Sequence, residues 1–357
     1  MEPGNQNNLK EISVNTRRVR WGLLSTARIN ERLIPVIRAS ERCELLAVAS
    51  RSEETAGRYA RQWEIPRAYS AYEDLLADPD IDAVYIPLPN HLHTEWVVKA
   101  ADAGKHVLCE KPLALTPAEV DQMAHAAERN RVVIQEAAMM RFHPQTRYLR
   151  ELLEQQAIGE VRLVRGVFTF VLEREGDIRW DPAMGGGSLW DLGSYCVSFA
   201  RAILRAEPVE VTAMQTTSPS GVDTNLTAQL RFPGDAMVQF FSSFAAFPHV
   251  EADLLGTTGR LHLDLPWVNQ LDRSATVQWT RVRQEAGTST FGDDTLRQTV
   301  STHTFANVNA YRDEVEAMAA SILEDAPTTI SLADSRNNVA TIVALLTSAR
   351  DNRPIRL

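Results

Sequence analysis

The run Val107-Leu108-Cys109 ends abruptly in an acid, a base and a proline, Glu110-Lys111-Pro112. A short apolar run reads as a buried strand, so its end delivers a carboxylate and an amine to one place. In open α/β sheets, ligands bind at the carboxyl ends of the strands. Pro112 stiffens the turn and restricts Lys111 to extended backbone angles, which fixes the amine. A surface ion pair beside a turn would have the same composition. A second reactive set follows at Arg179-Trp180-Asp181-Pro182 and Gly185-Gly186-Gly187-Ser188-Leu189-Trp190-Asp191-Leu192-Gly193-Ser194-Tyr195. The three glycines permit close backbone approach or movement, and Ser188 is placed to cap the helix that follows. Asp191 and Tyr195 are four apart, hence neighbours one helical turn apart. Leu189, Leu192, Cys196, Phe199 and Ile203 form an apolar stripe. Asp191, Ser194, Tyr195 and Ser198 fall on another face, which on an ordinary amphipathic helix is simply solvated.

Other segments have the character of a nucleotide site. After the first strand candidate, Val19 to Leu24, the turn runs Ser25-Thr26-Ala27-Arg28-Ile29. It matches the glycine-rich phosphate loop poorly, keeping Gly22 and small residues at Ser25 and Ala27. Small side chains still let a backbone approach a pyrophosphate at a helix start. A second strand, Leu45 to Ala49, ends in Ser50-Arg51-Ser52, where an NAD site usually places an acid. A guanidinium between two hydroxyls suits a 2′-phosphate better than a free diol, which favours NADP. The alternative is an exposed loop arginine. Pro87-Leu88-Pro89-Asn90-His91-Leu92-His93 follows the strand Ala83–Ile86, with Asn90 as a helix cap. His91 and His93 lack the cysteine or carboxylate companions of a metal site. Cofactor contact or capping suits them better.

These groups need elements to carry them. Strand and helix candidates alternate from Val19 to Ile134, with Gly104 ending one helix and Thr116-Pro117 beginning another. That alternation implies a parallel sheet wrapped on both faces. Beyond Glu136 the pattern changes. A helix opens at Arg141-Phe142-His143-Pro144 and ends by Gly159. Long alternating strands follow at Val161 to Leu172, Val209 to Gln215, Asn225 to Phe232, Met237 to Phe247 and Arg260 to Leu265. Period-two alternation gives a sheet one polar and one apolar face, so a large, mainly antiparallel open sheet is expected. Residues 268 to 299 read as a polar, irregular excursion. Helices over 309–323 and 331–350 would pack back across the junction. The division expected is a disordered leader (1–16), a dinucleotide-binding domain (17–138) and an α+β domain for substrate and oligomerisation (139–357).

Composition bounds the reading. A chain of 357 residues favours two domains. Apolar content of 44% with 23% charged residues describes a globular protein, and a net charge of -9 argues against nucleic-acid binding. No apolar run reaches the roughly 18 residues of a membrane span. Residues 1 to 16 lack the apolar core of a secretory signal. Cys43, Cys109 and Cys196 are odd in number and widely separated, as expected of buried thiols in a reducing cytoplasm.

Taken together, residues 104–112 (Gly-Lys-His-Val-Leu-Cys-Glu-Lys-Pro) and 185–195 resemble the glucose-fructose oxidoreductase / inositol dehydrogenase / rhizopine-catabolism (Gfo/Idh/MocA) family. The resemblance runs from about Val19 to the C-terminus. It implies a Rossmann domain followed by an α+β domain whose open sheet commonly forms a subunit interface, hence a homodimer or homotetramer. It also implies NAD(P)-linked hydride transfer to or from a carbohydrate or cyclic diol, with Lys111 at the nicotinamide and substrate and Asp191 and Tyr195 across the cleft. Tyrosine at 195, where inositol dehydrogenase-like members carry histidine, resembles the branch of xylose dehydrogenase, dihydrodiol dehydrogenase and nucleotide-sugar ketoreductases. That branch tends to use NADP; NAD stays open as the alternative cofactor. Ser25, Thr26, Ala27, Arg28, Ile29, Ser50, Arg51, Ser52, Pro87, Leu88, Asn90, His93, Glu110, Lys111, Arg179 and Trp180 are the cofactor-binding candidates. Arg141 and His143 join Lys111, Asp191 and Tyr195 as substrate candidates, and no metal is expected. Free Tyr and Lys have pKa values of about 10 and 10.4. Tyr195 is expected to move the proton, its value lowered by the Lys111 ammonium and an oxidised nicotinamide. Reduction of a nucleotide-linked keto sugar is the rival reaction. A cofactor-binding regulator without chemistry is the rival of another class.

Overall fold

The computed structural model describes residues 17–267, 274–282 and 298–357; the expected leader lies outside them. Strands β1 (Val19–Leu24), β2 (Cys43–Ala49), β3 (Arg67–Tyr69), β4 (Ala83–Ile86), β5 (His106–Glu110) and β6 (Ile134–Ala137) pair entirely in parallel, in spatial order 3-2-1-4-5-6. Their apolar runs are what a sheet covered on both faces requires. The crossovers carry α1 (Asn30–Ala39), α2 (Glu53–Gln62), α3 (Tyr72–Ala77), α4 (His93–Asp102) and α5 (Pro117–Asn130). Strand order reverses between β1 and β4, so a crevice opens beyond their carboxyl ends, where such sheets bind ligands. Lys111 leaves the neighbouring strand β5 directly into that region. Gly22 proves to be a strand residue: a Cβ there would lie 2.7 Å from Leu75 Cδ2, so the glycine lets α3 approach β1. The start of α5 is closed by a reciprocal capping box, Thr116 with Glu119, behind which Pro117 opens the helix.

The second half begins with α6 (Pro144–Glu154) and β7 (Val161–Val171), then α7 (Ser194–Leu204). It continues through β8 (Glu210–Thr217), β9 (Asp223–Arg231), β10 (Met237–Ser243), β11 (Ala245–Gly256), β12 (Gly259–Leu263), β13 (Ala275–Val282) and β14 (Gln298–Phe305). Helices α8 (Ala310–Leu323) and α9 (Leu332–Asp351) and the short β15 (Ile355–Arg356) complete it. Nine strands form one sheet in order 14-13-12-11-7-10-9-8-15, antiparallel except for the parallel pair β7/β10. The expected irregular excursion falls partly outside the described residues. Within them it is corrected: β13 and β14 pair from Ala275–Phe305 to Val282–Gln298. Buried Ala275 and Val277 alternate with polar neighbours, a weak pattern in so polar a stretch. Helix α7 is buried almost throughout, so its Ser194 and Ser198 are not on a solvated face. Helix α8 turns back to the first sheet, where Val315, Met318 and Ala319 pack with Leu33 and Ile37 of α1.

Candidate active site

Lys111 emerges from β5 into a cleft of about 480 Å³ that also receives Asp191 and Tyr195. Its Nζ donates to the Asp191 backbone carbonyl at 2.6 Å and to Oδ1 at 2.9 Å. Arg179 Nε donates to the other carboxylate oxygen, Oδ2, at 2.7 Å. The guanidinium also contacts Asp177 Oδ1 at 3.2 Å. The result is a continuous ladder, Lys111–Asp191–Arg179–Asp177, with charges alternating. Burial pushes the Asp191 pKa upward, but the Lys111 and Arg179 cations overcome it and hold the group at about 2. Asp191 lies in a π-helical segment, Leu189–Gly193, that runs into α7. Such wide turns often occur at functional sites.

Ser188 does not cap this segment as expected. Its Oγ donates to Asp223 Oδ2 at 2.6 Å, and Leu189 N donates to the same oxygen at 2.8 Å. Asp223 therefore anchors the start of the turn from β9. Gly187, at φ 116, makes room for it: a Cβ there would fall 2.1 Å from Asp223 Oδ1.

Tyr195 presents its ring to Lys111, whose Nζ lies 4.4 Å from the ring centroid. The hydroxyl faces Met139 Sδ at 3.9 Å, and Phe168 packs edge-on against the ring. Its pKa moves opposite to expectation. Burial comes first, followed by the negative charges of Glu110, Asp191 and Glu314, and together they push the phenol well above its ordinary value. The Arg179 cation acts in the opposite direction and is outweighed. Glu110 also lines the cleft, accepting from the Tyr85 hydroxyl at Oε1 and from the Lys111 backbone N–H at Oε2.

The other candidates divide. Ala27, Arg28, Ile29, Pro87, Leu88, Asn90 and Arg179 line the same cleft. Ser25 sits at φ 135 and its Oγ accepts from Ala27 N, so it shapes the loop, with Thr26 beside it. No side chain caps the first turn of α1. The Asn30, Glu31 and Arg32 N–H groups donate to the Ala27, Arg28 and Ile29 carbonyls, so it is the loop before the helix, with Arg28 and Ile29 at one end of a cleft and Lys111 at the other, that fits the diphosphate of a dinucleotide. Ser50 is buried at the end of β2, Arg51 is exposed, and Ser52 caps α2 by accepting from Thr55 N. Asn90 is not a helix cap; its Nδ2 donates to the Gly185 carbonyl, tying the two halves at the cleft.

Four expectations are corrected. His93 is fully buried, its two ring nitrogens held by the Leu88 and Pro112 carbonyls, so it braces the loop and has no face for a cofactor. Arg141 is drawn to Asp334 and Ser198. His143 is buried against Phe305 and caps α6, so neither residue lines the pocket. Trp180 packs edge-on against Phe244 behind the wall. The walls that sequence reasoning missed are apolar: Phe168, Phe170, Ile178 and Met184. Alternating strand residues look alike whether they face a core or a cleft. Among the described residues, no group of His, Cys, Asp and Glu is arranged to hold a metal ion, and no helix is long and apolar enough to cross a membrane.

Comparison with known proteins agrees with this architecture. Residues 19–138 match the oxidoreductase family with an NAD-binding Rossmann fold, and residues 146–262 match the GFO/IDH/MocA C-terminal domain. The chain is 39% identical to a D-xylose 1-dehydrogenase (NADP(+)) of Haloferax volcanii, covering 94% of this chain and 99% of that one. It is 35% identical to a trans-1,2-dihydrobenzene-1,2-diol dehydrogenase of Xenopus laevis, over 68% and 74%. A 3-ketoreductase from Actinomadura kijaniata, solved with TDP-benzene and NADP, superposes with a TM-score of 0.82 at 27% identity, over 93% and 98%. An aldose-aldose oxidoreductase from Caulobacter crescentus gives 0.84 at 25% identity, over 96% and 100%.

Proposed function

The chain belongs to the Gfo/Idh/MocA family of oxidoreductases, and from that premise we propose that it exchanges a hydride between NADP and a sugar or cyclic diol. The reacting carbon bears a hydroxyl or a carbonyl. The observation that carries this reading is the meeting of Lys111, Asp191 and Tyr195 in one cleft that reaches the first turn of α1. A nicotinamide coenzyme in that cleft supplies or accepts the hydride. The loop before α1, where Arg28 and Ile29 line the cleft, holds its diphosphate, and Arg51 with Ser50 and Ser52 favours a 2′-phosphate, with NAD as the alternative. The NADP-linked relatives support this preference. Phe168, Phe170 and Ile178 offer apolar surface to the carbon face of a ring.

Lys111 transfers one hydrogen bond from Asp191 to the reacting oxygen and stabilises the charge that develops there. Arg179 stays on Asp191 meanwhile, so the carboxylate remains compensated. Tyr195 moves the proton. Because its surroundings hold the phenol protonated, it is set as a donor, which suits reduction. That same feature favours the second reading, reduction of a nucleotide-linked keto sugar. The free, buried cysteines support a cytoplasmic location.

NADPH and NADH oxidation with keto sugars and nucleotide-linked keto sugars, and NADP reduction with aldoses and vicinal diols, separates these substrates. Lys111→Ala and Tyr195→Phe should each lower kcat by about 100-fold or more while NADP binding persists. Near wild-type kcat in both variants overturns the assignment, and cofactor binding without turnover across the panel favours a regulator.

A further inference from the structure

The loop between β1 and α1 lacks the glycines on which phosphate loops are usually built. With Gly22 inside β1, the positions that follow the strand at the G-x-G-x-x-G spacing are Ser25, Ala27 and Asn30. In that fingerprint the first glycine makes the tight turn and the third lets helix and strand pack closely. Here the first position makes its turn without a glycine. Ser25 has φ 135, a value that a residue with a Cβ adopts only where its surroundings impose it. The third position supplies the imposing group. Asn30, the first residue of α1, is fully buried, and its Nδ2 donates to the Ser25 carbonyl at 2.8 Å. Its Oδ1 accepts no hydrogen bond among the described residues. A buried amide with one atom unpaired disfavours the fold relative to a small apolar residue. The contact with Ser25 is therefore what sets asparagine apart from alanine or glycine here.

The effect reaches the cleft through one peptide. The Ser25–Thr26 bond is trans, so its C=O and N–H point in opposite directions. With the carbonyl drawn inward to Asn30, the Thr26 N–H is turned outward, and it has no acceptor among the described residues. The Ala27 N–H is taken by Ser25 Oγ at 3.2 Å. Those of Arg28 and Ile29, on the cleft wall, are without acceptors among the described residues. We propose that Asn30 is a positioning residue for the coenzyme, standing in for the missing glycines. It locks the Ser25–Thr26 peptide so that the Thr26, Arg28 and Ile29 N–H groups face the diphosphate before the coenzyme arrives. The inference rests on the placing of the diphosphate at this loop. A turn made by glycine needs no such lock, because glycine takes positive φ without steric cost. A turn made by serine relaxes when the lock is removed, and re-forming it then weakens coenzyme binding.

The test titrates NADP into the full chain by isothermal calorimetry, with thermal melts to establish folding. It compares wild type, Asn30→Ala, Ser25→Gly, the double variant Ser25→Gly/Asn30→Ala, and Ala27→Asp. Asn30→Ala should raise the NADP Kd about tenfold, the scale of one hydrogen bond. With the best substrate of the panel above, KM for NADP should rise in the same variant while kcat at saturation stays unchanged. Ser25→Gly should bind within about threefold of wild type, and adding Asn30→Ala to it should cost less than about threefold more. A wild-type Kd in Asn30→Ala overturns the lock. So does an equal loss in both backgrounds, which would mean that Asn30 acts by packing and not through the Ser25 carbonyl. Ala27→Asp, a carboxylate on the cleft wall beside these N–H groups, tests the reading beneath: unimpaired NADP binding in it overturns the placing of the diphosphate. Impaired binding there with a wild-type Asn30→Ala overturns the lock alone. If Asn30→Ala does not fold, the double variant decides: it should fold and bind within about threefold of Ser25→Gly, and an unfolded double or a tenfold loss overturns the proposal.

Discussion

Asp191 spends both carboxylate oxygens on cations from opposite halves of the chain, Lys111 from β5 and Arg179 from the segment before the glycines. That double use determines its response to acid. Its folded pKa, about 2, lies below the ordinary 3.8, so the stability it contributes is present above about pH 4 and is lost as pH falls towards 2. A difference of this size is worth about 2 kcal/mol. Asp191→Asn leaves Lys111 and Arg179 facing each other across a neutral amide, and breaking a buried pair costs more than the pair was worth. The variant should therefore unfold at a lower temperature than wild type at neutral pH. The gap should close as pH drops from about 4 to about 2, read from thermal melts across that range. A gap independent of pH would mean the carboxylate is not charged to advantage in the fold.

At the scale of elements, the π segment Leu189–Gly193 is fastened by Asp223, and the fastening is costly. The folded pKa of Asp223 is raised to about 6, with burial as the leading cause and the Ser188 and Leu189 hydrogen bonds opposing it. A raised acid stabilises the fold most below its unfolded value, near 4, and that contribution disappears as pH rises through 6. Asp223→Asn keeps an acceptor for Ser188 and Leu189 without the charge. Denaturant unfolding should show it equal to wild type near pH 4 and more stable by up to about 3 kcal/mol above pH 7. Equal stability at both values would show that Asp223 is not burdened by its charge. This anchor was not legible in the sequence: Ser188 before a helix reads as a cap, and its acceptor stands on β9, far along the chain. Lys111, Asp191 and Tyr195 were legible, because a strand end and a glycine-rich turn each deliver one kind of chemistry. His93, Arg141 and His143 were misread for the converse reason. A polar side chain advertises its chemistry, but not whether a carbonyl or a carboxylate of the fold already occupies it. The parallel sheet was plain because its runs are apolar throughout, whereas β13 and β14 are too polar to stand out.

At the scale of the molecule, the nine-stranded sheet has one face covered and, among the described residues, one bare. Helices α7 and α9 lie on the inner face, where Val164, Phe168, Leu226, Val238, Phe240 and Leu254 are buried. On the other face Arg165, Val167, Thr227, Gln229, Gln239 and Phe241 stand in register across β7, β10 and β9, around a shallow hollow of about 240 Å³. Asp253 on this face is already shut off from water by Arg165, Arg260 and His262. That carboxylate is already desolvated and paired, so covering it with another surface costs little more. Nine strands at about 4.8 Å spacing and six residues of about 3.3 Å rise span about 800 Å², the contribution of one side to a standard interface. We expect two copies of the chain to meet here, as a homodimer or as half of a homotetramer. Sedimentation velocity at micromolar concentration should find that species, and the double variant Val167→Glu/Phe241→Glu, which places like charges on neighbouring strands, should sediment as a single chain with its NADP binding intact. The substituted side chains stand on the face of the sheet opposite Phe168 and the cleft, so loss of cofactor binding together with assembly would point to misfolding instead. A wild-type chain that sediments alone at every concentration would leave the bare face without this role.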